Sequence, residues 1–308
     1  MFRQLPSLSG LLVVVAALSA GTALPAQAGA TLVVDDDGRG SAVDCDAADP
    51  AFGAIQDAVD TAQPGDTVFI CPGVYDEQVV VATSDLTLLG SGTALTIIRP
   101  SVAHADGSII PPIPVAPILL FDGATGAAAR EFTIDGGAAD SGAANVDCFA
   151  GGFYIGLFLQ NSSGVIGHLH ITGIKSASMC TSGLFARSSG GGVTDVAIAN
   201  NLFDNYANIG LACSGPATTC TITGNTVRGR GPVDDELQAG INIRNGAAAE
   251  ITGNVITDHF YLAGNGLPDW SVGIFLVAAD PRTHAQLRRD NLFANNQLDV
   301  QHAAINKP

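Results

Sequence analysis

Positive charge is scarce in this chain. Lys and Arg number 13 against 29 Asp and Glu in 308 residues, a formal net charge of −16. That excludes nucleic-acid binding through a basic surface. Charged residues of both signs reach only 14%, where an average soluble chain carries about 25%. Hydrophobic residues nevertheless reach 47%, which excludes an intrinsically disordered chain. Long apolar runs are missing after the N-terminus, since Gly, Asn and Asp interrupt each one, so no membrane span is expected. The six cysteines include no C-x-x-C pair, which leaves a structural zinc site without support. What is plentiful is glycine, 37 residues. Glycine is costly in helix interiors and argues against a helical bundle.

The first 28 residues have the form of a secretory signal: Arg3, an apolar stretch Leu11–Leu18, and Ala26-Gln27-Ala28 as an A-x-A cleavage site. An exported chain with six cysteines suggests three disulfides, of which 15 connectivities exist. Proximity along the coils argued next favours Cys45–Cys71, Cys148–Cys180 and Cys213–Cys220. The expected location is secreted or periplasmic.

Repetition decides the fold class. IANN (Ile198–Asn201), ITGN (Ile222–Asn225), ITGN (Ile251–Asn254) and RRDN (Arg288–Asn291) end in Asn, and ITGI (Ile171–Ile174) precedes them with Ile in that place. A glycine column runs through Gly156, Gly183, Gly210, Gly240 and Gly273. From Gly183, Gly210, Gly240 and Gly273 to the next Asn the spacing is 18, 15, 14 and 18 residues. From Ile174, Asn201, Asn225 and Asn254 to the next Gly it is 9, 9, 15 and 19. The steadier arc suits strands and tight turns; the growing one suits a loop on one face, where repeat folds often bind. Short alternating strands at this period predict an all-β, single-stranded parallel β-helix over residues 29–308, of about seven coils. Stacked Asn201, Asn225, Asn254 and Asn291 are expected to form an internal amide ladder.

Ahead of the coils, Ile55, Ala58, Val59 and Ala62 share one helical face, and Pro64-Gly65-Asp66 ends it. Such a helix would cover the open end of the core. AIQDAVDTAQPGDTVFICPGVYDEQVVV (Ala54–Val81), LTLLGSG (Leu86–Gly92) and TIIRP (Thr96–Pro100) resemble the opening of pectin-lyase-fold proteins, pectinesterases above all. The resemblance implies a right-handed β-helix acting on polysaccharide. It places Gln238-Ala239 and Asp258 at two of the pectinesterase motif positions. At the nucleophilic Asp of the third, Val272-Gly273-Ile274-Phe275 carries Gly273. Without that carboxylate no covalent intermediate forms, so esterase activity is not expected.

If the strand after each glycine alternates, Leu184, Leu211, Ile241 and Ile274 point inward. Two outward columns follow: Leu120, Phe158, Phe185, Ala212, Asn242 and Phe275, then Asp122, Gln160, Arg187, Ser214 and Arg244. Neighbouring coils lie about 4.8 Å apart, which puts Arg187 and Arg244 roughly 10 Å apart, a spacing suited to successive groups on a polymer. Loops beside this strip bring Arg228, Arg230, Asp234, Asp235 and Glu236, then Asp258, His259, Tyr261, Asp269 and Trp270. The expected partner is a polysaccharide, of which a uronate polymer is one class. Expected binding residues are Phe158, Phe185, Arg187, Asn242, Phe275 and Trp270; candidate catalytic residues are Arg244, Asp258, Glu236 and Asp235.

Three chemistries stay open. A lyase would use Arg187 and Arg244 to hold charge and Lys175 or His259 as base. A hydrolase would draw two carboxylates from Asp234, Asp235, Glu236 and Asp258. Calcium is the one cofactor that clustered acids suggest. The same aromatic column also reads as a structural stack under the loops, which leaves as the alternative a non-catalytic envelope or surface scaffold or adhesion protein that presents its long loops to a partner; a monomer is expected in either case. His168 and His170, two apart, lack a third metal ligand. Asp35-Asp36-Asp37-Gly38 reads as the turn into the cap.

Overall fold

The computed structural model describes residues 29–137, 152–176, 178–234, 236–262, 271–284 and 286–303. The signal-like segment, Cys148, Asp235, Asp269 and Trp270 lie outside them. Three parallel sheets, each eight strands deep, make the walls of a coil. The first sheet runs from Thr31–Val34 to Ala248–Thr252, the second from Gly73–Tyr75 to Leu292–Ala294, and the third from Val79–Val81 to Leu298–Ala303. Seven turns contribute a strand to every sheet, with partial turns at both ends, so the predicted β-helix and its coil number hold.

Alternation builds the core. Val68, Leu88, Ala129, Ile166, Ile198, Ile222 and Ile251 stack in register along the first sheet. Ile98, Ile134, Ile171, Phe203, Val227 and Ile256 do so along the second. Leu119, Leu157, Leu184, Leu211, Ile241 and Ile274 line the third. All are buried in one continuous cluster. A single coil could not bury these faces; stacking removes them from water at about 25 cal/mol per Å².

The corner between the first and second sheets is closed by the Asn ladder. Asn225 Oδ1 accepts from the backbone N–H and the Nδ2 of Asn201, both at 3.0 Å. Its own Nδ2 donates to Ile198 O (2.8 Å) and Asn254 Oδ1 (3.0 Å). Asn254 repeats the pattern onto Asn291, whose Nδ2 ends on Ile251 O and Leu287 O. One expectation is corrected here. Ile166 is in register with Ile198, so Leu169, whose N–H donates to Asn201 Oδ1, holds the column position assigned above to Ile174. From Leu169 the arc to Gly183 is 14 residues, so the arcs run 14, 9, 15 and 19 and do not grow steadily.

The N-terminal helix Ile55–Thr61 caps the stack. Glu77 Oε1 and Oε2 accept from the N–H groups of Ile55 and Gln56 at 2.7 and 3.0 Å, filling the first-turn donors that a helix leaves unpaired. The Gln56 amide accepts from Val80 N–H (2.8 Å) and donates to Val80 O (3.1 Å), standing in for the strand missing beyond Val79–Val81. At the far end the short helix Leu287–Asp290 takes the place of a first-sheet strand. Disulfides Cys45–Cys71 and Cys213–Cys220 form as expected. Cys180 is also disulfide-bonded, while its expected partner Cys148 lies outside the described residues.

A second polar seam lies at the corner between the second and third sheets. Tyr206 and His259 are both buried, and the tyrosine hydroxyl meets His259 Nε2. Nδ1 donates to Asn296 Oδ1 (2.8 Å), whose amide nitrogen donates to Ile256 O. Burial pulls the imidazole from 6.5 down to about 4, so it is neutral at pH 7.

Two outcomes are expected. Asn225→Ala removes four buried hydrogen bonds and lowers unfolding stability by about 3 kcal/mol or more, at roughly 1 kcal/mol per bond; denaturant titration reads it. Protonation favours the unfolded chain while His259 stays neutral in the fold. Its contribution is therefore complete above pH 6.5 and is lost as pH falls toward about 4. Thermal melts across this window should show a shallower pH slope for His259→Gln than for the parent.

Candidate functional site

The third sheet is not flat. Ile155 faces outward with Phe158, yet Leu157 faces the core. Alternation therefore flips phase at Gly156, and again at Gly210, where Ile209 packs outward and Leu211 inward. A Cβ at Gly156 would sit 2.5 Å from Gly183 O, and one at Gly183 would sit 2.5 Å from Gly210 O. The glycine column thus marks a kink that no other residue fits. Phe153 is paired with Cys180, five residues before Phe185. A straight strand would part those positions by about 17 Å, but the two ring centroids are 6.3 Å apart. The outer face is therefore concave, a groove parallel to the coil axis.

The predicted columns line it in register: Leu120, Phe158, Phe185, Ala212, Asn242 and Phe275 on the floor, then Asp122, Gln160, Arg187, Ser214 and Arg244 on the wall. The floor changes character along the groove. Phe158 and Phe185 stack at 5.4 Å and are buried with Leu120, beneath Ile109 and Ile110. They are a covered apolar cluster and offer no open stacking face. Asn242 is buried too, while Phe275 is part-exposed.

Polarity in this groove is unbalanced. The Arg244 guanidinium lies 5.1 Å over the Phe185 ring, a cation–π contact, and its Nε is buried without a hydrogen-bond partner. Burial, and then the charge of Arg187, lower the Arg244 pKa; burial lowers that of Arg187. Neither has an acidic partner among the described residues. The amide oxygens of Gln160, Asn242 and Gln301 are likewise buried and unpartnered, and all belong to these two columns. Orphaned buried polar atoms are rare in folded proteins, and here two cations and three acceptors share one groove. Alternation placed Gln160 in the outer column without assigning it a role, and Gln301 was missed because a lone Gln after Phe275 carries no motif.

The other candidates are not gathered there. Glu236 is buried, with Oε1 3.2 Å from Arg230 Nη2 and Oε2 accepting from Asn208 Nδ2 at 2.7 Å. It seals a corner. Gln238 is equally committed: Nε2 donates to Tyr206 O and Ala207 O, and Oε1 accepts from Arg230 N–H. Asp258 stands on the second sheet, bonded to Thr257 and Asn295, and does not share a face with Arg244. The expected grouping of Arg244, Asp258 and Glu236 is therefore not assembled. Lys175 binds Asn205, and His259 is closed in the core. His168 has positive φ in a turn, whereas His170 pairs with Asp204 at 3.0 Å, so they do not share a strand face. Asp35 lies near the Cys45 and Cys71 sulfurs, but those are joined in a disulfide and ligate nothing. Asp35–Gly38 forms the expected turn.

Comparison with known proteins agrees on architecture. A family model described as a right handed beta helix region matches residues 155–306. No curated protein matches the sequence. Among solved structures, the chain is similar to a pectin methylesterase from Yersinia enterocolitica, with 14% identity and a TM-score of 0.45 over 83% of this chain and 92% of that one. It is similar to Escherichia coli YbhC, with 11% identity and a TM-score of 0.43 over 94% and 90%. The protein ORF18 of Geobacillus virus E2 shows 12% identity and a TM-score of 0.40 over 82% of this chain; the chain spans 58% of that protein's length. These likenesses are of fold alone. Three parallel sheets in register and the matched family model identify the chain as a right-handed parallel β-helix protein.

Proposed function

We propose that the groove on the third sheet binds an acidic extracellular polysaccharide and that the protein is exported. One observation carries the reading: among the described residues Arg187 and Arg244 stand about two coils apart without acidic partners, beside amide oxygens that lack donors. A ligand that satisfies both must offer anions to the arginines and hydroxyls to the amides. A uronate sugar offers both on one ring. Guanidinium–carboxylate contacts formed in a partly dry groove are the stronger class of hydrogen bond. The net charge of −16 opposes such a ligand at a distance, but charge is screened beyond about 8 Å at physiological salt, so the local cations decide. Disulfides in the first and later coils support an oxidising compartment.

Recognition without cleavage is the reading the geometry favours. Cleavage needs an acid or base beside the anion site. Among the described residues Glu236, Asp258, His259 and Lys175 are all engaged elsewhere.

Affinity electrophoresis in gels containing polygalacturonate tests it. The parent protein should be retarded there and not in gels containing a neutral glucan. Arg187→Gln and Arg244→Gln should each weaken binding about tenfold or more, the loss expected for a charged hydrogen bond of ~1.5–3 kcal/mol. Asp258→Ala should bind as the parent does. Equal mobility with and without the uronate polymer would overturn the reading.

A further inference from the structure

We infer that the groove is blind at one end and takes the terminus of the polysaccharide, so that the protein recognises a chain end. This rests on the reading just given. The strand Asp106–Ile110 folds back antiparallel on Ile113–Asp122, with Asp106 opposite Val115 and Ile110 opposite Ile113. The hairpin adds a ninth strand to the third sheet, and its end reaches across the groove. Ile109 and Ile110 pack on the floor cluster around Phe158, and Ile109 O accepts from Gln160 Nε2 on the far wall at 3.2 Å. A polymer lying along Asn242 and Arg244 would meet this barrier on the N-terminal side and could not run on over Phe158 and Leu120. In the other direction the columns continue through Phe275 and Gln301, and no crossing segment is present there among the described residues.

The chemistry at the barrier matches the shape. Gln160 spends its amide N–H on the hairpin and leaves Oε1 buried without a donor. An internal sugar has converted the hydroxyl at each linkage into a glycosidic oxygen, which accepts and cannot donate. A terminal sugar keeps a free hydroxyl there. An acceptor left without a donor beside the barrier favours a sugar that brings its free terminal hydroxyl there, and a site built for a hydroxyl discriminates against a ligand lacking it.

Titration of the intact protein with short and long fractions of polygalacturonate, monitored by calorimetry, separates the outcomes. End recognition makes binding capacity per gram fall in inverse proportion to chain length. It also makes one of two short oligomers, blocked as the methyl glycoside at the reducing end or deoxygenated at O4 of the other end, bind about tenfold more weakly than its parent. Gln160→Met should remove that difference while Arg244 still holds the polymer. Capacity per gram that is equal for all lengths would overturn end recognition and leave polysaccharide binding standing. Absence of heat with every fraction would overturn both.

Discussion

Everything in this fold depends on each coil completing the hydrogen bonds of the next. Strand edges do so through the backbone, and corners cannot, because the chain turns away from the ladder there. Asn201, Asn225, Asn254 and Asn291 solve the first corner with a side chain that is donor and acceptor at once. The second corner is solved differently, by Tyr206, His259, Gln238 and Glu236, each fitted to its own loop. The uniform corner joins arcs of steady length. The heterogeneous corner sits where loop length varies, and each coil there needs its own partners.

This difference explains what was legible in the sequence. The Asn ladder, the glycine column, the outward register of Phe158 to Phe275 and the pairings Cys45–Cys71 and Cys213–Cys220 follow from spacing, because identical solutions recur at a fixed period. Leu169 was missed for the same reason: an apolar residue at a ladder position carries no signature, and the nearby Ile171-Thr172-Gly173-Ile174 imitates one. The concavity of the third sheet was also hidden. A glycine column predicts close backbone approach, but the phase flip between Ile155 and Leu157 appears only once the facing carbonyls are placed.

The candidate site was legible in part. Arg187, Arg244 and Asn242 stand where alternation puts them. Phe158 and Phe185 do as well, but burial under Ile109 and Ile110 makes them packing, and nothing in the local sequence says that Asp106–Ile110 folds back. The acidic candidates failed because charge alone does not distinguish a waiting carboxylate from one already neutralised. Glu236 looks free in the sequence and is held by Arg230 and Asn208 in the structure.

The amide of Gln56, bonded to both polar groups of Val80, has a consequence beyond stability. A stack of parallel strands is in principle endless, like a crystal that adds layers to a growing face. A single side chain that mimics the next layer without offering a further edge poisons that face. The third sheet is thereby closed at Val79–Val81, where the polar groups of Val80 are already spent and leave no open bond for a further strand.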